Sequence, residues 1–228
     1  MLDIQQLQVS YGQQRILDQL NIQFEAGQIH GILGMNGAGK STFFNSICGL
    51  KSIDSGSCLL DGEWINSAQI AFMQTHTRFY PFMKGIEYLD LIRAPNSNFD
   101  AAHWNKVFEL PLQQLVEQYS TGMKKKLVFL GMIAQHRPVI ILDEPFNGVD
   151  VESNEKMLQI LTYLKEQGRI ILMSSHIIHT LTACCDKVSY LKNGRFARTY
   201  TPNEFDDLQV LVQELVRQDV ASVLEELE

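Results

Sequence analysis

Between positions 34 and 41 the chain reads Gly34-Met35-Asn36-Gly37-Ala38-Gly39-Lys40-Ser41. Glycines let the backbone curl around a ligand with its amide N–H groups turned inward, an arrangement that suits an anion. The spacing is G-x-x-x-x-G-K-[ST], and it follows the short apolar stretch "IHGIL" and precedes a helical pattern, the context a phosphate-binding loop needs. The start of that helix adds the positive end of a dipole. Lys40 then reaches β- and γ-phosphates, and the Ser41 hydroxyl faces Mg²⁺. A second acidic feature closes the apolar run "VIILDEP". Strand alternation sends Asp143 and Glu144 to different faces. Asp143 suits a metal with its water shell, and Glu144 suits a general base that activates water. The guanine-reading pattern N-K-x-D is not completed, because Phe108 follows Asn105-Lys106-Val107.

Elements must hold these groups. Residues 2 to 33 read as strands with turns, and a helix is expected from Lys40 to Cys48 with Gly49 at its C′ position. "CLLDG" and "IAFM" read as strands. From about Arg78 to Gln135 the pattern is helical, with Met123, Leu127, Leu130 and Ala134 at three- or four-residue steps. "VIILD", "RIILMSS" and "KVSYL" return to strand, with a helix between the first two. Apolar strands alternating with helices predict a largely parallel α/β sheet. The tail from Pro202 to Glu228 reads as an acidic helix with Leu208, Leu211 and Leu215 on one face.

Composition narrows the classes. The chain has 228 residues and a formal charge of −7, so free nucleic acid is not expected as a partner. Cys48, Cys58, Cys184 and Cys185 form no C-x-x-C pair, which suits reduced thiols. The longest apolar run is about seven residues, where a membrane span needs about twenty. A soluble protein able to dock on a membrane partner is expected. Lys124, Lys125 and Lys126 read as a solvated helix face. His176 and His179 have helical ligand spacing but lack a third ligand.

"YSTGMKKKL", Tyr119 to Leu127, resembles the signature of the ATP-binding-cassette (ABC) ATPases, usually L-S-G-G-Q, and is closest to a Y-S-x-G-M variant found in one class of exporters. Ser120 can cap the helix that starts there. Tyr11 resembles the aromatic residue that stacks on adenine, Gln74 the Q-loop glutamine, Asn147 to Asp150 the D-loop, and His176 the switch histidine. Thr121 and Met123 depart from the common signature in the way this subgroup does. The resemblance covers roughly residues 1 to 200.

That resemblance implies a P-loop NTPase fold of ABC type. A RecA-like core with an N-terminal β subdomain would span 1–77 and 136–200, a helical signature subdomain 78–135, and a short helical tail 201–228. It implies ATP and Mg²⁺ as cofactors. Glu144, His176 and Gln74 would be catalytic, and Ser41, Gln74 and Asp143 would face the metal. Tyr11, Asn36, Gly37, Gly39, Lys40, Ser41, Thr42 and Asp150 would bind nucleotide, with Ser120 and Gly122 reaching the nucleotide of an opposite chain. Two chains, this one twice or with a paralogue, would thus pair head to tail. Transport, read as export from the signature, would need a separate membrane permease docked near residues 74–89, with this subunit cytoplasmic on the inner face. A soluble ABC ATPase acting on ribosomes or DNA ends, and a regulatory nucleotide-binding module, remain open alternatives.

Overall fold

The computed structural model describes residues 1–95 and 98–225, with side chains at all of these except 215, 216 and 218–225. The chain opens with the hairpin β1 (Leu2–Tyr11) and β2 (Gln14–Phe24), followed by β3 (Gln28–Leu33), the glycine-rich loop and α1 (Lys40–Ile47). Strands β4 (Ser55–Leu60) and β5 (Glu63–Trp64) return beside β1, giving an antiparallel sheet in the order β2-β1-β4-β5. After β6 (Ile70–Met73) come the helices α2 (Gly85–Ile92), α3 (Ala101–Asn105) and α4 (Thr121–Ala134). β7 (Val139–Asp143), α5 (Val151–Glu166), β8 (Ile170–Ser175), α6 (Ile178–Cys184), β9 (Lys187–Lys192), β10 (Arg195–Tyr200) and α7 (Phe205–Glu225) complete the described fold. The second sheet runs β10-β9-β3-β8-β7-β6. Its pairings are parallel except for β10 on β9.

β7 and β8 are buried along their whole length, which explains their near-continuous Val, Ile and Leu runs. Alternate residues feed two cores. Val139, Ile141, Ile170 and Leu172 pack with Phe43 and Phe44 of α1 and with the antiparallel sheet. Ile140, Leu142, Ile171 and Met173 pack with Leu127 and Leu130 of α4 and Ile160 of α5. Each such side chain contributes about 1.5–3 kcal/mol of apolar burial. Helices α4 and α5 on one face, and α1 with a second sheet on the other, thus pin the strands, and the carboxyl ends of β3, β7 and β8 open together. Open parallel sheets bind ligands at that edge.

The helical stretch holds its own local logic. Ser120 caps α4, its Oγ accepting the Met123 N–H at 3.2 Å. α1 ends at Ile47, and Gly49 takes the left-handed conformation (φ 71°) expected after a helix end. Leu208 of α7 is buried and Leu211 packs beside the larger core; the side chain of Leu215 lies outside the described residues.

Two expectations are corrected. The three consecutive lysines do not form a solvated face: Lys125 is buried, and Lys126 turns inward toward Asp150 and Ser153. Nor does strand alternation separate Asp143 from Glu144. The strand stops at Asp143, and Glu144 adopts a left-handed backbone (φ 52°) that lifts it out of the sheet.

Candidate active site

A cavity of about 530 Å³ lies at the carboxyl edge of the parallel sheet. The loop from Asn36 to Gly39 and the first residues of α1, Lys40, Ser41 and Thr42, form one wall. Gly37 and Gly39 have φ of 81° and 106°, values that side-chain-bearing residues rarely adopt. Gly39 is also the residue ahead of α1, so the turn aims the unpaired N–H groups of the helix start at the cavity. Lys40 is buried, and its Nζ donates to the Gly34 carbonyl at 2.6 Å and the Met35 carbonyl at 3.3 Å. Burial lowers its pKa, and the carboxylates of Glu144 and Asp143 oppose that shift. The lysine is therefore folded over its own loop, within reach of an anion seated on it.

The opposite wall is a hydroxyl-bound carboxylate. Asp143 Oδ2 accepts from Ser41 Oγ at 2.8 Å and from Thr75 Oγ1 at 2.9 Å. Asp143 Oδ1 accepts from Ser174 Oγ at 2.5 Å. The β7–β8 register sets the last contact, since Asp143 and Ser174 are direct strand partners. Ser174 also accepts the Glu144 N–H at 3.1 Å. Beside it, Glu144 Oε2 lies 2.9 Å from His176 Nδ1 and 3.4 Å from Asn147 Nδ2. The histidine side chain is half exposed and the glutamate mostly covered. A carboxylate held this way can take a proton from water while the imidazole fixes its direction.

Asn36, Gly37, Gly39, Lys40, Ser41, Thr42, Asp143, Glu144 and His176 therefore line one cavity. Five expected residues stand outside its lining. Gln74 is exposed and borders a separate hollow with Thr121, Lys124 and Lys125. Tyr11 is exposed, with Lys51 Nζ 4.4 Å over its ring, while Ile16 lines the cavity. Ser120 is exposed at the start of α4, and Gly122 lies so near the loop after β7 that a Cβ there would come 2.8 Å from the Gly148 carbonyl. Asp150 caps α5, accepting the Ser153 N–H at 2.8 Å, and pairs with Lys126 at 3.2 Å. Those bonds, Ser153's first, hold its carboxyl well below the usual value.

The sequence pattern does not single out Thr75 or Ser174, and it places Lys125 on a solvated helix face. Thr75 follows Gln74, and chain spacing alone does not decide which of two residues past a strand end turns inward. Ser174 sits in "MSSH", where polar residues end an apolar strand two places before His176, a signal similar to that of Asp143. Lys125 Nζ donates to the Glu144 carbonyl at 2.6 Å.

Among the described residues no helix is long and apolar enough to cross a membrane. The family model described as "ABC transporter" matches residues 17–147, more than half of the chain. The ABC transporter ATP-binding protein YtrB of Bacillus subtilis is 26% identical over 99% of this chain and 80% of its own length. The lantibiotic transport ATP-binding protein SrtF of Streptococcus pyogenes is 29% identical over 86% of this chain and 88% of its own length. A solved ATP-binding subunit of an ABC transporter superposes with a TM-score of 0.82 at 26% identity, covering 93% of this chain and 99% of that one. A dimeric bacterial ABC transporter cassette, MJ0796, shares the fold with a TM-score of 0.80 at 23% identity, covering 89% of this chain and 99% of its own. With the phosphate loop, the paired carboxylates and the parallel sheet in place, the chain belongs to the ABC transporter family, as one of its ATP-binding, ATP-hydrolysing subunits.

Proposed function

We propose that this subunit hydrolyses ATP at the cavity between Lys40 and Glu144 and that two copies, or one copy and a paralogue, share each nucleotide. The observation that carries the reading is the joint arrangement of Asp143, bound by three hydroxyls, and the Glu144–His176 pair, both facing the lysine loop. Backbone N–H groups of Gly37, Gly39, Lys40 and Ser41 cradle the β- and γ-phosphates, while that of Ala38 stays on the Met35 carbonyl at 3.1 Å, and Lys40 exchanges its loop carbonyls for phosphate oxygens. Glu144 takes the proton of the attacking water, a contribution of roughly 10²- to 10⁴-fold. His176 keeps the carboxylate pointed at that water.

The donors around Asp143 suit Mg²⁺. Ser41, Thr75 and Asp143 offer hard oxygens within one small cluster, and Mg²⁺ in nucleotide sites takes few protein ligands. The ion would neutralise charge on the phosphate oxygens. Thr75 replaces Gln74 in this assignment, because its hydroxyl already touches Asp143.

Ser120 is exposed at the start of a capped helix, with Gly122 packed two residues on against the Gly148 carbonyl, and this helix start serves the nucleotide of the other chain. The dimeric form of the MJ0796 cassette supports this sharing. A separate membrane permease carries the cargo path, and export is its direction, supported by the Y-S-x-G-M signature and by the transport role named for SrtF. Tyr80 and Phe82, 70% and 77% exposed, offer the docking face. In phosphate-release assays Lys40→Ala should lose most turnover while the wild type is active. Wild-type turnover in that variant would overturn the site, and failure of any membrane protein to co-purify from detergent extracts would overturn the permease assignment.

A further inference from the structure

Glu144 holds a backbone conformation that side-chain-bearing residues seldom adopt, with φ of 52°. Such a residue persists only where its surroundings fix it. Both of its own main-chain polar groups are held. Its N–H goes to Ser174 Oγ at 3.1 Å, and its carbonyl receives Lys125 Nζ at 2.6 Å. The first clamp belongs to the neighbouring strand β8. The second comes from α4, the helix capped by Ser120.

Lys125 is an unusual residue to find there. It is 8% exposed, and burying an ammonium is costly without a strong partner. Burial lowers its pKa, opposed by Glu144 and then Asp143. Its cost is met by one short bond to a carbonyl and by the field of two carboxylates. An apolar residue would be buried on this helix without that penalty, as Leu127 is two residues further on.

We propose that Lys125 is a positioning residue for Glu144, setting the direction of the catalytic carboxylate according to where α4 sits. The proposal rests on the reading of Glu144 as the general base. Its consequence is a link between sites. α4 carries Ser120 and Gly122 at its start, and the same helix fastens its own chain's Glu144 five residues on from Ser120. A nucleotide engaged at the helix start by the opposite chain thereby steadies the base of the chain that owns the helix.

The test is a double-mutant cycle in steady-state and single-turnover ATP hydrolysis. Lys125→Met keeps length and loses the donor, and Lys125→Gln keeps a donor on a shorter stem. Lys125→Met should lower kcat roughly 10- to 100-fold, the scale of an ångström of misplacement, with KM for ATP within about twofold of wild type. Lys125→Gln should fall between the two. In a Glu144→Gln background, Lys125→Met should cause no further loss, because it acts through the missing carboxylate. Wild-type kcat in Lys125→Met overturns the proposal, as does a loss that multiplies in full with that of Glu144→Gln. Should Lys125→Met not fold, Lys125→Gln is carried through the same cycle with the same outcomes. Wild-type turnover in Glu144→Gln alone would instead remove the base itself, a result separable from either failure of Lys125.

Discussion

Ser174→Ala is the sharpest structural perturbation of the site. The hydroxyl is fully buried and serves both acids at once. It donates to Asp143 Oδ1 at 2.5 Å and accepts the Glu144 N–H at 3.1 Å. A hydrogen bond to an ionised partner is worth about 1.5–3 kcal/mol, and a buried N–H left without an acceptor costs about 1–3 kcal/mol. Asp143 keeps Ser41 and Thr75 on its other oxygen, so the carboxylate is only partly stripped. A net loss of about 3 kcal/mol follows. For a domain of this size that is a fall of about 6–12 °C in Tm, or of about 1 M in the urea midpoint if m is near 3 kcal/mol/M. The assay is urea unfolding of the nucleotide-free protein by circular dichroism. Ser175→Ala provides the internal comparison. Among the described residues that hydroxyl accepts just the Ile177 N–H, at 3.0 Å, so its loss should cost about 1 kcal/mol. A Ser174→Ala midpoint equal to wild type, or a Ser175→Ala loss as large, would refute the reasoning.

Two other expectations concern titration. Glu204 accepts the N–H and hydroxyl of Thr201 and pairs with Arg198, and these bonds, the Thr201 N–H first, lower its pKa to about 2 from an ordinary 4.5. A depressed carboxylate stabilises the fold above its unfolded pKa and loses that effect as pH falls toward the folded value. The stability gap between wild type and Glu204→Gln should therefore be full at pH 6 and close between pH 4.5 and 2; a gap unchanged across that range contradicts it. Burial pushes the thiols of Cys48 and Cys58 up to about 12 and 11, and Cys185 rises too. Alkylation of the native protein at pH 8 should reach Cys184 alone, and mass spectrometry finding label at Cys48 before unfolding would contradict the packing.

Local chemistry made much of the fold and site legible. The glycine-lysine-serine loop, the acids ending an apolar strand and the serine ahead of α4 each occupy a few consecutive residues, so their spacing carries the message. Groups joined by tertiary register were hidden. Ser174 meets Asp143 only because β7 and β8 align at that position. Gln74 and Thr75 differ by one place, and only the path of the chain past β6 turns the threonine inward. Three lysines in a row read as solvent-facing by charge. The carbonyl that receives one of them belongs to Glu144, where the chain leaves the strand in a left-handed turn. Ile16, not Tyr11, lines the cavity for a similar reason, because the hairpin places its second strand toward the loop.

The shared-nucleotide account is tested most directly by sedimentation equilibrium of Glu144→Gln. With Mg-ATP bound and not consumed, the variant should sediment as a dimer, and with ADP as a monomer. A monomer in both conditions, at ATP concentrations that saturate the site, would contradict the claim that each phosphate is gripped by two chains.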